Sequence, residues 1–213
     1  MALTDQELTE TGLEAVEGGQ GRTLMIACGA LAREILALKQ INGWEHLELT
    51  CLPAKLHLFP DQIPDAVRAK VAEARGKGYE TIKVVYADCG TGGLLDMVCE
   101  ELQVERIAGP HCYSFFEGNQ TFAEHPDEIT AFYLTDFLVK QFDAFVWKPM
   151  GLDRHPELRD MIFGNYEKLI YLSQLDDPAL VEQARDQAAR LGLEFEHRHT
   201  GYGDLPGFLA DKA

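Results

Sequence analysis

The sequence is short of basic residues: 19 lysines and arginines stand against 35 aspartates and glutamates among 213 residues, a formal net charge of −16. An acidic chain is repelled by phosphate backbones and anionic lipid head groups, so we expect neither nucleic acid nor a membrane as partner. No apolar run approaches the roughly 18 residues that a membrane-spanning helix requires. The first segment, MALTDQELTE, is acidic and lacks the apolar core of a secretory signal, which favours a cytoplasmic location.

Cysteine is present, but not in the patterns of a disulfide framework or a zinc finger. The five cysteines are an odd number, and no two of them form a Cys-x-x-Cys pair. Without an export signal they are expected to be reduced thiols. A metal site could therefore assemble only through the fold. The corrinoid-binding signature Asp-x-His-x-x-Gly is also absent, so a corrinoid ligated by a histidine of this chain is not supported.

Short apolar runs alternate with helical patterns from Thr23 onward. Six runs have strand character: TLMIA, LELTCL, TIKVVYAD, RIAGPHCYSFF, KLIYLSQ and LEFEHRH. A helical stretch is predicted from about residue 127 to 147, between the fourth and fifth runs. Such alternation is typical of right-handed βαβ crossovers. The sequence therefore predicts an α/β fold with a mostly parallel sheet of about six strands and helices on both faces, a Rossmann-like architecture.

The chain divides near residue 21. Residues 1–21 carry five acidic and no basic side chains and end in Gly-Gly-Gln-Gly, which predicts a mobile or loosely docked arm. Residues 22–213 are predicted to form the α/β domain. Within it, Cys28-Gly29 and Cys89-Gly90 each close a strand and open a helix. Either the domain consists of two related halves that arose by duplication, or the similarity of these two βα units is due to chance.

Three of the cysteines follow predicted strands. Cys28 comes after TLMIA, Cys89 after KVVYAD and Cys112 after RIAGPH. Because chain leaving the carboxyl ends of parallel strands lines the ligand crevice of an open α/β sheet, we expect these thiols at one edge. A cluster of thiols suits a soft metal such as Zn²⁺, or sulfur chemistry without a metal.

The segment Asp-Cys-Gly-Thr-Gly-Gly, residues 88–93, is the strongest candidate binding motif. Its glycines allow a tight turn and present N–H groups at the next helix N-terminus, which predicts cofactor-binding roles for Gly90, Thr91, Gly92 and Gly93. The helix dipole would lower the pKa of the Cys89 thiol, whereas an ionised Asp88 would oppose that shift. Asp88 is a predicted catalytic residue. The alternative is a tight turn whose cysteine only packs.

Three further side chains are predicted to reach the same edge as ligands, acids or bases. His57 follows the second strand, with a solvated loop histidine as the alternative. His111 and Cys112 are adjacent, so only one of them is expected to point inward in extended chain. Glu117 follows five residues after Cys112 and could supply a carboxylate.

Several segments resemble a family catalogued only as a domain of unknown function. In chain order they are ACGALAREI, LPAKLH, DCGTGGLLD, GPHCY, LTDFL, GLDRHPEL and TGYGDL, and the resemblance spans about residues 23–206. Members of that family are encoded alongside corrinoid-dependent methyltransferases and their reactivation factors. The resemblance therefore implies methyl or one-carbon metabolism, with a corrinoid protein or methyltransferase as partner and the corrinoid carried by that partner.

The motif DCGTGG is also similar to the Asp-Ser-Gly-x-Gly-Gly turn of cofactor-independent glutamate racemases. Those enzymes use two cysteines, one from each of two related α/β halves, as opposed acid and base. Here Cys89 stands where their motif has serine, and their Cys-Asn-Thr segment is absent.

Three functions follow as hypotheses. The first is an enzyme of methyl or one-carbon metabolism that holds Zn²⁺ through Cys28, Cys89 and Cys112, with an open metal position for a thiol or another methyl acceptor. The second is a non-catalytic accessory protein that binds a corrinoid, a metal or a methyltransferase. The third is a metal-free, racemase-like enzyme that uses two thiols as acid and base, with Cys89 and Cys112 as the pair to be tested.

Overall fold

The computed structural model describes residues 3–15 and 22–211, in two compact units. The first unit contains Met1–Cys112 and Leu205–Ala213, and the second contains Tyr113–Asp204. The glycine-rich segment 18–21 lies outside the described residues, so the predicted mobility of the arm stays a prediction. Within the described ranges, no helix combines the length and the apolar character needed to cross a bilayer.

The first unit is built on a four-stranded parallel sheet with the order β2-β1-β3-β4. Its strands are β1 (Thr23–Cys28), β2 (Leu47–Leu52), β3 (Thr81–Val85) and β4 (Glu105–Arg106). Its helices are α1 (Asp5–Glu10), α2 (Ala32–Asn42), α3 (Ile63–Gly76), α4 (Leu94–Leu102) and α10 (Leu205–Ala210), with 3-10 turns at Gly29–Leu31, Ala54–Leu58 and Pro60–Gln62.

Side-chain alternation along β1 and β3 determines which helices cover each face of this sheet. Ile26 and Val84 point to the same side and pack against Val67 of α3 in one buried apolar cluster. Lys83 points to the other side, where its buried ammonium donates to the carbonyls of Phe208 and Asp211 at 2.9 and 2.7 Å. These carbonyls belong to the end of α10, so helices lie on both faces.

Helix α1 docks against the start of the turn that follows β1. Thr4 caps the helix in a capping box with Glu7, and Leu8 is fully buried. A Cβ atom at Gly29 would lie 2.3 Å from the Leu8 carbonyl oxygen. Glycine at this position therefore permits the close approach of α1 to the chain immediately after Cys28.

The second unit is built on a three-stranded parallel sheet with the order β5-β6-β7. Its strands are β5 (Ala131–Thr135), β6 (Lys168–Ser173) and β7 (Glu194–His199). Its helices are α5 (Cys112–Glu117), α6 (Asn119–Ala123), α7 (Asp136–Lys140), α8 (Leu158–Phe163) and α9 (Pro178–Leu191), with a 3-10 turn at Pro126–Thr130 and a π turn at Asp143–Trp147. The first residue of α5, Cys112, still belongs to the first unit.

The α/β class and the parallel strand direction are confirmed, but the predicted single sheet of about six strands is wrong. Within residues 3–15 and 22–211, seven strands form two sheets, of four and three strands. The first sheet ends at β4, which is only two residues long and pairs with β3 through a short register. The added strand, β5, lies inside the stretch 127–147 that was predicted to be helical. Its Tyr133 alternates into a core with Ile170 and Leu172, which is strand periodicity.

Candidate thiol site at the edge of the first sheet

Cys28 lies in the middle of the carboxyl edge of the first sheet, because it ends β1 and β1 lies between β2 and β3. The chain then turns into a 3-10 helix, and the Ala30 N–H points at the Cys28 sulfur. The side chain is half-buried against the apolar cluster beneath α3. Cys28 is therefore a partly accessible thiol on a rigid strand end.

The loop that carries Cys89 is tied to the loop that carries Cys112. The N–H of Asp88 donates to the Gly109 carbonyl at 3.0 Å, and the N–H of Cys89 donates to the Pro110 carbonyl at 2.8 Å. Cys89 adopts a left-handed backbone, with φ of +50°, which is uncommon for a residue other than glycine. The Cys112 N–H points at the Cys89 sulfur. Neighbouring strand ends thus place the Cys89 thiol against the backbone of Cys112.

A buried tyrosine hydroxyl lies near both thiols. Tyr86 is the residue after β3 and is only 2 % exposed. Among the residues that the structure describes, none accepts or donates to its hydroxyl at standard hydrogen-bond geometry. The Cys28 sulfur faces it more loosely, and the Tyr86 hydroxyl would donate a hydrogen bond to a Cys28 thiolate, which acts to lower the pKa of Cys28. Both Cys28 and Cys89 in turn raise the pKa of Tyr86, after burial itself.

The two thiols have different pKa values because they have different neighbours. Burial raises the pKa of Cys28, while the Ala30 N–H and the Tyr86 hydroxyl oppose that rise. Burial and then the charge of Cys28 raise the pKa of Cys89 to about 12, with a smaller contribution from Asp88. The expected lowering of the Cys89 pKa by the helix dipole is thus outweighed by desolvation. Each sulfur has two donors, Ala30 and Tyr86 for Cys28 and the backbones of Cys112 and Ala87 for Cys89. The neighbouring charges, and not the number of donors, distinguish the two thiols.

Asp88 shapes the glycine-rich turn from within. Its carboxylate accepts hydrogen bonds from the Thr91 hydroxyl at 2.8 Å, the Gly93 N–H at 2.8 Å and the Gly92 N–H at 3.2 Å. Burial alone would raise the pKa of Asp88, but these hydrogen bonds together with one from Gly90 lower it. The N–H groups of Gly92 and Gly93, two of the predicted cofactor-binding residues, therefore donate to the Asp88 carboxylate within the same turn.

His57 and His111 lie close to one another at this edge. His57 belongs to the 3-10 turn after β2, and burial and then the neighbouring His111 lower its pKa. Burial also lowers the pKa of His111, against the opposing charge of Asp88. Both imidazoles are consequently neutral near pH 7, the form in which a histidine acts as a base or ligand.

Glu117 forms an ion pair with another side chain, and the two other cysteines are buried. Glu117 belongs to the second unit, where it pairs with Arg198 at 2.6 Å. Cys51 is buried in β2 beside Cys28, and burial raises its pKa well above the usual value. Cys99 is buried on α4 in the apolar cluster of the first unit. All five cysteines are free thiols.

A zinc ion needs three or four donor atoms around one point. In the described ranges, no group of three or more histidine, cysteine, aspartate or glutamate residues is arranged to hold a metal ion. Cys112 contributes its backbone N–H to the Cys89 sulfur. The structure thus brings the Cys28 and Cys89 thiols and the Tyr86 hydroxyl to one edge, and the metal-binding role of Cys28, Cys89 and Cys112 stays a prediction.

Sequence reasoning did not identify Tyr86. In KVVYAD a tyrosine at the end of an apolar run is typical of a core aromatic residue, and nothing in the sequence shows that its hydroxyl lacks a partner. The one available signal was its place, two residues before Asp88 and three before Cys89, at a strand end.

Comparison with known proteins places the chain in a family without assigning it an activity. The family model described as "Protein of unknown function (DUF1638)" matches residues 51–209. No curated protein matches the chain. An ornithine carbamoyltransferase from Pyrococcus furiosus is 14% identical, with a TM-score of 0.26 over 86% of this chain and 55% of that chain. The chain thus spans about half of that enzyme's length, and so low a TM-score supports no argument. The family match covers most of the chain, which therefore belongs to the DUF1638 family of proteins of unknown function.

Proposed function

We propose that this protein is an enzyme that moves protons on a small substrate, with Cys28 as the base and Cys89 as the acid. The observation that supports the proposal is the Tyr86 hydroxyl, which is buried beside the two thiols and has no partner at standard hydrogen-bond geometry in the described part of the chain. A buried polar group left unsatisfied costs about 1–3 kcal/mol, and a catalytic role is one of the reasons why native proteins retain such groups. A bound substrate oxygen or nitrogen would supply the missing hydrogen bond.

The unequal pKa values of the thiols assign their roles. Enzymes that use paired titratable groups separate the pKa values of the two so that one is ionised while the other keeps its proton. Both thiols have two donors, but the charges of Cys28 and Asp88 act on Cys89 and help to raise its pKa to about 12. The Cys28 thiolate would take a proton from a carbon acid, and the Cys89 thiol would return one. The sum is an isomerisation without net oxidation.

The assignment has a definite pH dependence. Because the pKa of Cys28 is raised, its thiolate is a minor species at neutral pH, and activity should rise as the pH increases through the alkaline range. Cys89 keeps its proton until far higher pH, so no fall in activity is expected below about pH 10.

Proton exchange in D₂O tests the proposal. A panel of α-amino acids and other small carbon acids is incubated with the protein, and loss of the substrate C–H signal is followed by NMR. Cys28→Ser and Cys89→Ser should each lower the exchange rate by a factor of roughly 10²–10⁴, which is the usual contribution of a general acid or base. Cys99→Ser is the matched control and should retain the full rate. Exchange that survives in Cys28→Ser and in Cys89→Ser would exclude this chemistry.

A zinc-dependent enzyme of methyl or one-carbon metabolism is the second candidate. It is favoured by the meeting of Cys28, Cys89 and the backbone of Cys112 at one edge, and by the association with corrinoid systems that the family resemblance implies. It requires a third ligand that the described residues do not present. Metal analysis of protein prepared under reducing, chelator-free conditions separates the two: stoichiometric zinc lost in each of the three cysteine-to-serine variants supports the zinc enzyme.

The third candidate, an accessory protein that binds a corrinoid or a methyltransferase carrying one, makes a different prediction. It should bind such a partner stoichiometrically in a pull-down with purified components, without turnover, and Cys28→Ser should not abolish the complex. Turnover that depends on Cys28 would exclude a purely accessory role.

A further inference from the structure

The Tyr86 hydroxyl lies beside Cys28 at the carboxyl edge of the first sheet. Ala27 of β1 pairs in register with Val85 of β3. The next residues along the two strands, Cys28 and Tyr86, are therefore neighbours at this edge. The hydroxyl is buried, and no group of the described residues bonds to it at standard hydrogen-bond geometry. A phenol donates one hydrogen bond, so a substrate held at this edge meets a donor.

The Tyr86 hydroxyl keeps its proton near neutral pH. Burial raises the pKa of Tyr86 well above its usual value, and the charges of Cys28 and then Cys89 raise it further. The phenol therefore acts as a donor and not as a base. The substrate atom that it bonds must be an acceptor, such as a carbonyl oxygen, which excludes an ammonium group at this position.

Carboxylates near the thiols disfavour an anionic substrate. Although burial acts to raise the pKa of Asp88, hydrogen bonds to its carboxylate lower that pKa, so Asp88 is ionised near neutral pH. Its charge acts on Cys89. Glu34 is buried in the first turn of α2, and its charge adds to burial in raising the pKa of Cys28. Both charges would repel a substrate carboxylate.

The donors that could hold a carboxylate at this edge already have acceptors. In the described part of the chain, the basic side chains at this edge are paired with carboxylates: Arg33 with Asp5 at 2.8 Å, Lys55 with Glu10 at 3.0 Å and Arg106 with Asp96 at 2.6 Å. The N–H groups of Gly92 and Gly93 donate to Asp88. A substrate carboxylate would therefore have to displace a carboxylate of the chain from any of these donors.

We propose that the substrate of the thiol site is an uncharged ketone or aldehyde, and that Tyr86 is a further catalytic residue that donates to its carbonyl oxygen. This inference rests on the proposed acid–base function of the two thiols. The Cys28 thiolate removes a proton from the carbon next to the carbonyl: the S–H bond forms, the C–H bond breaks, and an electron pair moves onto the carbonyl oxygen. Negative charge leaves the sulfur as it reaches the oxygen, so the total charge of the site does not change.

One donor serves both ends of this charge transfer. The Tyr86 hydroxyl would donate to the Cys28 thiolate before the proton moves and to the enolate oxygen afterwards. The Cys89 thiol then returns a proton to the carbon: its S–H bond breaks, the new C–H bond forms, and the carbonyl is restored. Proton exchange with water resets the two thiols. A carboxylate substrate would instead add a negative charge beside Asp88 and Glu34.

Proton exchange of two matched ketones tests the substrate class. Hydroxyacetone and pyruvate are similar in size, but only pyruvate carries a carboxylate. Each is incubated with the full chain in D₂O, and loss of its C–H signal is followed by NMR, with the rate in the absence of protein subtracted. Because of the repulsion, exchange of hydroxyacetone should be at least about tenfold faster than exchange of pyruvate or of alanine, and Cys28→Ser should abolish the difference.

The outcomes separate this inference from the function on which it rests. Exchange of pyruvate or alanine that is as fast as that of hydroxyacetone and depends on Cys28 would overturn the ketone assignment and leave the thiol function standing. If no probe shows exchange that depends on Cys28, both are overturned.

Tyr86→Phe tests the role of the hydroxyl. It should lower hydroxyacetone exchange by about 10²–10³, as the loss of one oxyanion donor does. Tyr166→Phe, which changes a partly exposed tyrosine of the second unit, is the matched control and should retain the full rate. Circular dichroism checks folding, which is expected to persist because Tyr86→Phe keeps the ring and removes an unsatisfied hydroxyl.

The pH profile distinguishes donation to the substrate from donation to Cys28. Tyr86→Phe also removes a donor from the Cys28 thiolate, which alone would shift the profile to higher pH without lowering its alkaline plateau. Donation to the substrate oxygen predicts that the loss of rate persists on the plateau, where Cys28 is ionised in both proteins. A full plateau rate in Tyr86→Phe would overturn the catalytic role of Tyr86.

Discussion

The two sheets carry different kinds of side chain at their carboxyl edges. At the carboxyl edge of the first sheet, half-buried thiols lie beside a tyrosine hydroxyl that has no partner at standard hydrogen-bond geometry among the described residues. At the same edge of the second sheet, the buried Asp136 accepts hydrogen bonds from Tyr171 and from the N–H groups of Gln174 and Leu175. The first edge leaves a polar atom for a ligand to satisfy. The second edge instead satisfies its buried Asp136 carboxylate internally and presents exposed imidazoles.

From this difference we expect the second edge to contribute mainly to stability and the thiol edge mainly to reactivity. A fully bonded buried carboxylate holds strand ends together, and its loss leaves several donors without acceptors. An unsatisfied buried hydroxyl contributes nothing to folding and is retained at a cost. We therefore expect substitutions at the edge of the second sheet to unfold that unit, and substitutions at the thiol edge to change reactivity with little loss of stability.

The largest expected effect is at Asp136. Asp136→Ala should lower the free energy of unfolding by about 3–5 kcal/mol, because the Tyr171 hydroxyl and two N–H groups lose their acceptor. Urea titration followed by Trp147 fluorescence in a Trp44→Phe background reports the second unit, since the two tryptophans lie in different units. Asp136→Asn keeps one acceptor oxygen and should lose less. Equal stability of Asp136→Ala and the unmodified chain would contradict the comparison.

Acid should weaken the second unit through Glu128. Arg198 is the main cause that lowers the pKa of Glu128 to about 2, and Lys168 and Tyr133 also donate to its carboxylate. Because the pKa is lower in the folded state, this stabilisation is present above about pH 4.5 and is lost as the pH falls towards 2. The loss should be roughly 3 kcal/mol, since the carboxylate is 8% exposed and little screened by water.

The Glu128 prediction is checked by urea titrations at pH 6 and pH 3. The difference in unfolding free energy between the two pH values should shrink in Glu128→Gln, which does not titrate. A pH dependence as large in Glu128→Gln as in the unmodified chain would show that other carboxyl groups carry the acid sensitivity.

A smaller effect is expected at Asp88 in the first unit. Asp88→Ala removes the acceptor for the Thr91 hydroxyl and two N–H groups of a half-exposed turn, which resembles the loss of a helix cap. The expected loss is about 1 kcal/mol. Urea titration of Trp44 fluorescence in a Trp147→Phe background measures it. A loss as large as that of Asp136→Ala would remove the contrast between the two edges.

Much of the fold follows from the sequence because buried parallel strands are apolar runs between helical patterns. The end of α9 is an example: Asp177 caps it and Gly192 ends it in a left-handed conformation. The division into two sheets could not be predicted. The pattern of side chains shows where a strand lies and which of its faces is buried, but it does not show which strands are its neighbours. β5 was mistaken for helix because its aromatic residues run directly into α7, where apolar residues continue.

The residues at the two edges differ in how visible they were. Cys28 and Cys89 stood out as thiols after strand runs. Tyr86 was hidden, because an unsatisfied hydroxyl is a property of its surroundings. His197 and His199 were visible in principle, since residues two apart on a strand share a face. Their contacts with Ser173 depend on the register of β6 with β7, which only the fold determines.

The most direct test of the central claim measures alkylation rates of Cys28 and Cys89 by iodoacetamide at pH 9, site by site, with mass spectrometry. If the thiols and Tyr86 share one site, Cys28→Ser should speed alkylation of Cys89, because a neighbouring charge that raises its pKa is gone. Tyr86→Phe should slow alkylation of Cys28, because its thiolate loses a donor. Rates at both cysteines that neither substitution changes, measured against Cys99 as an internal reference, would contradict the account.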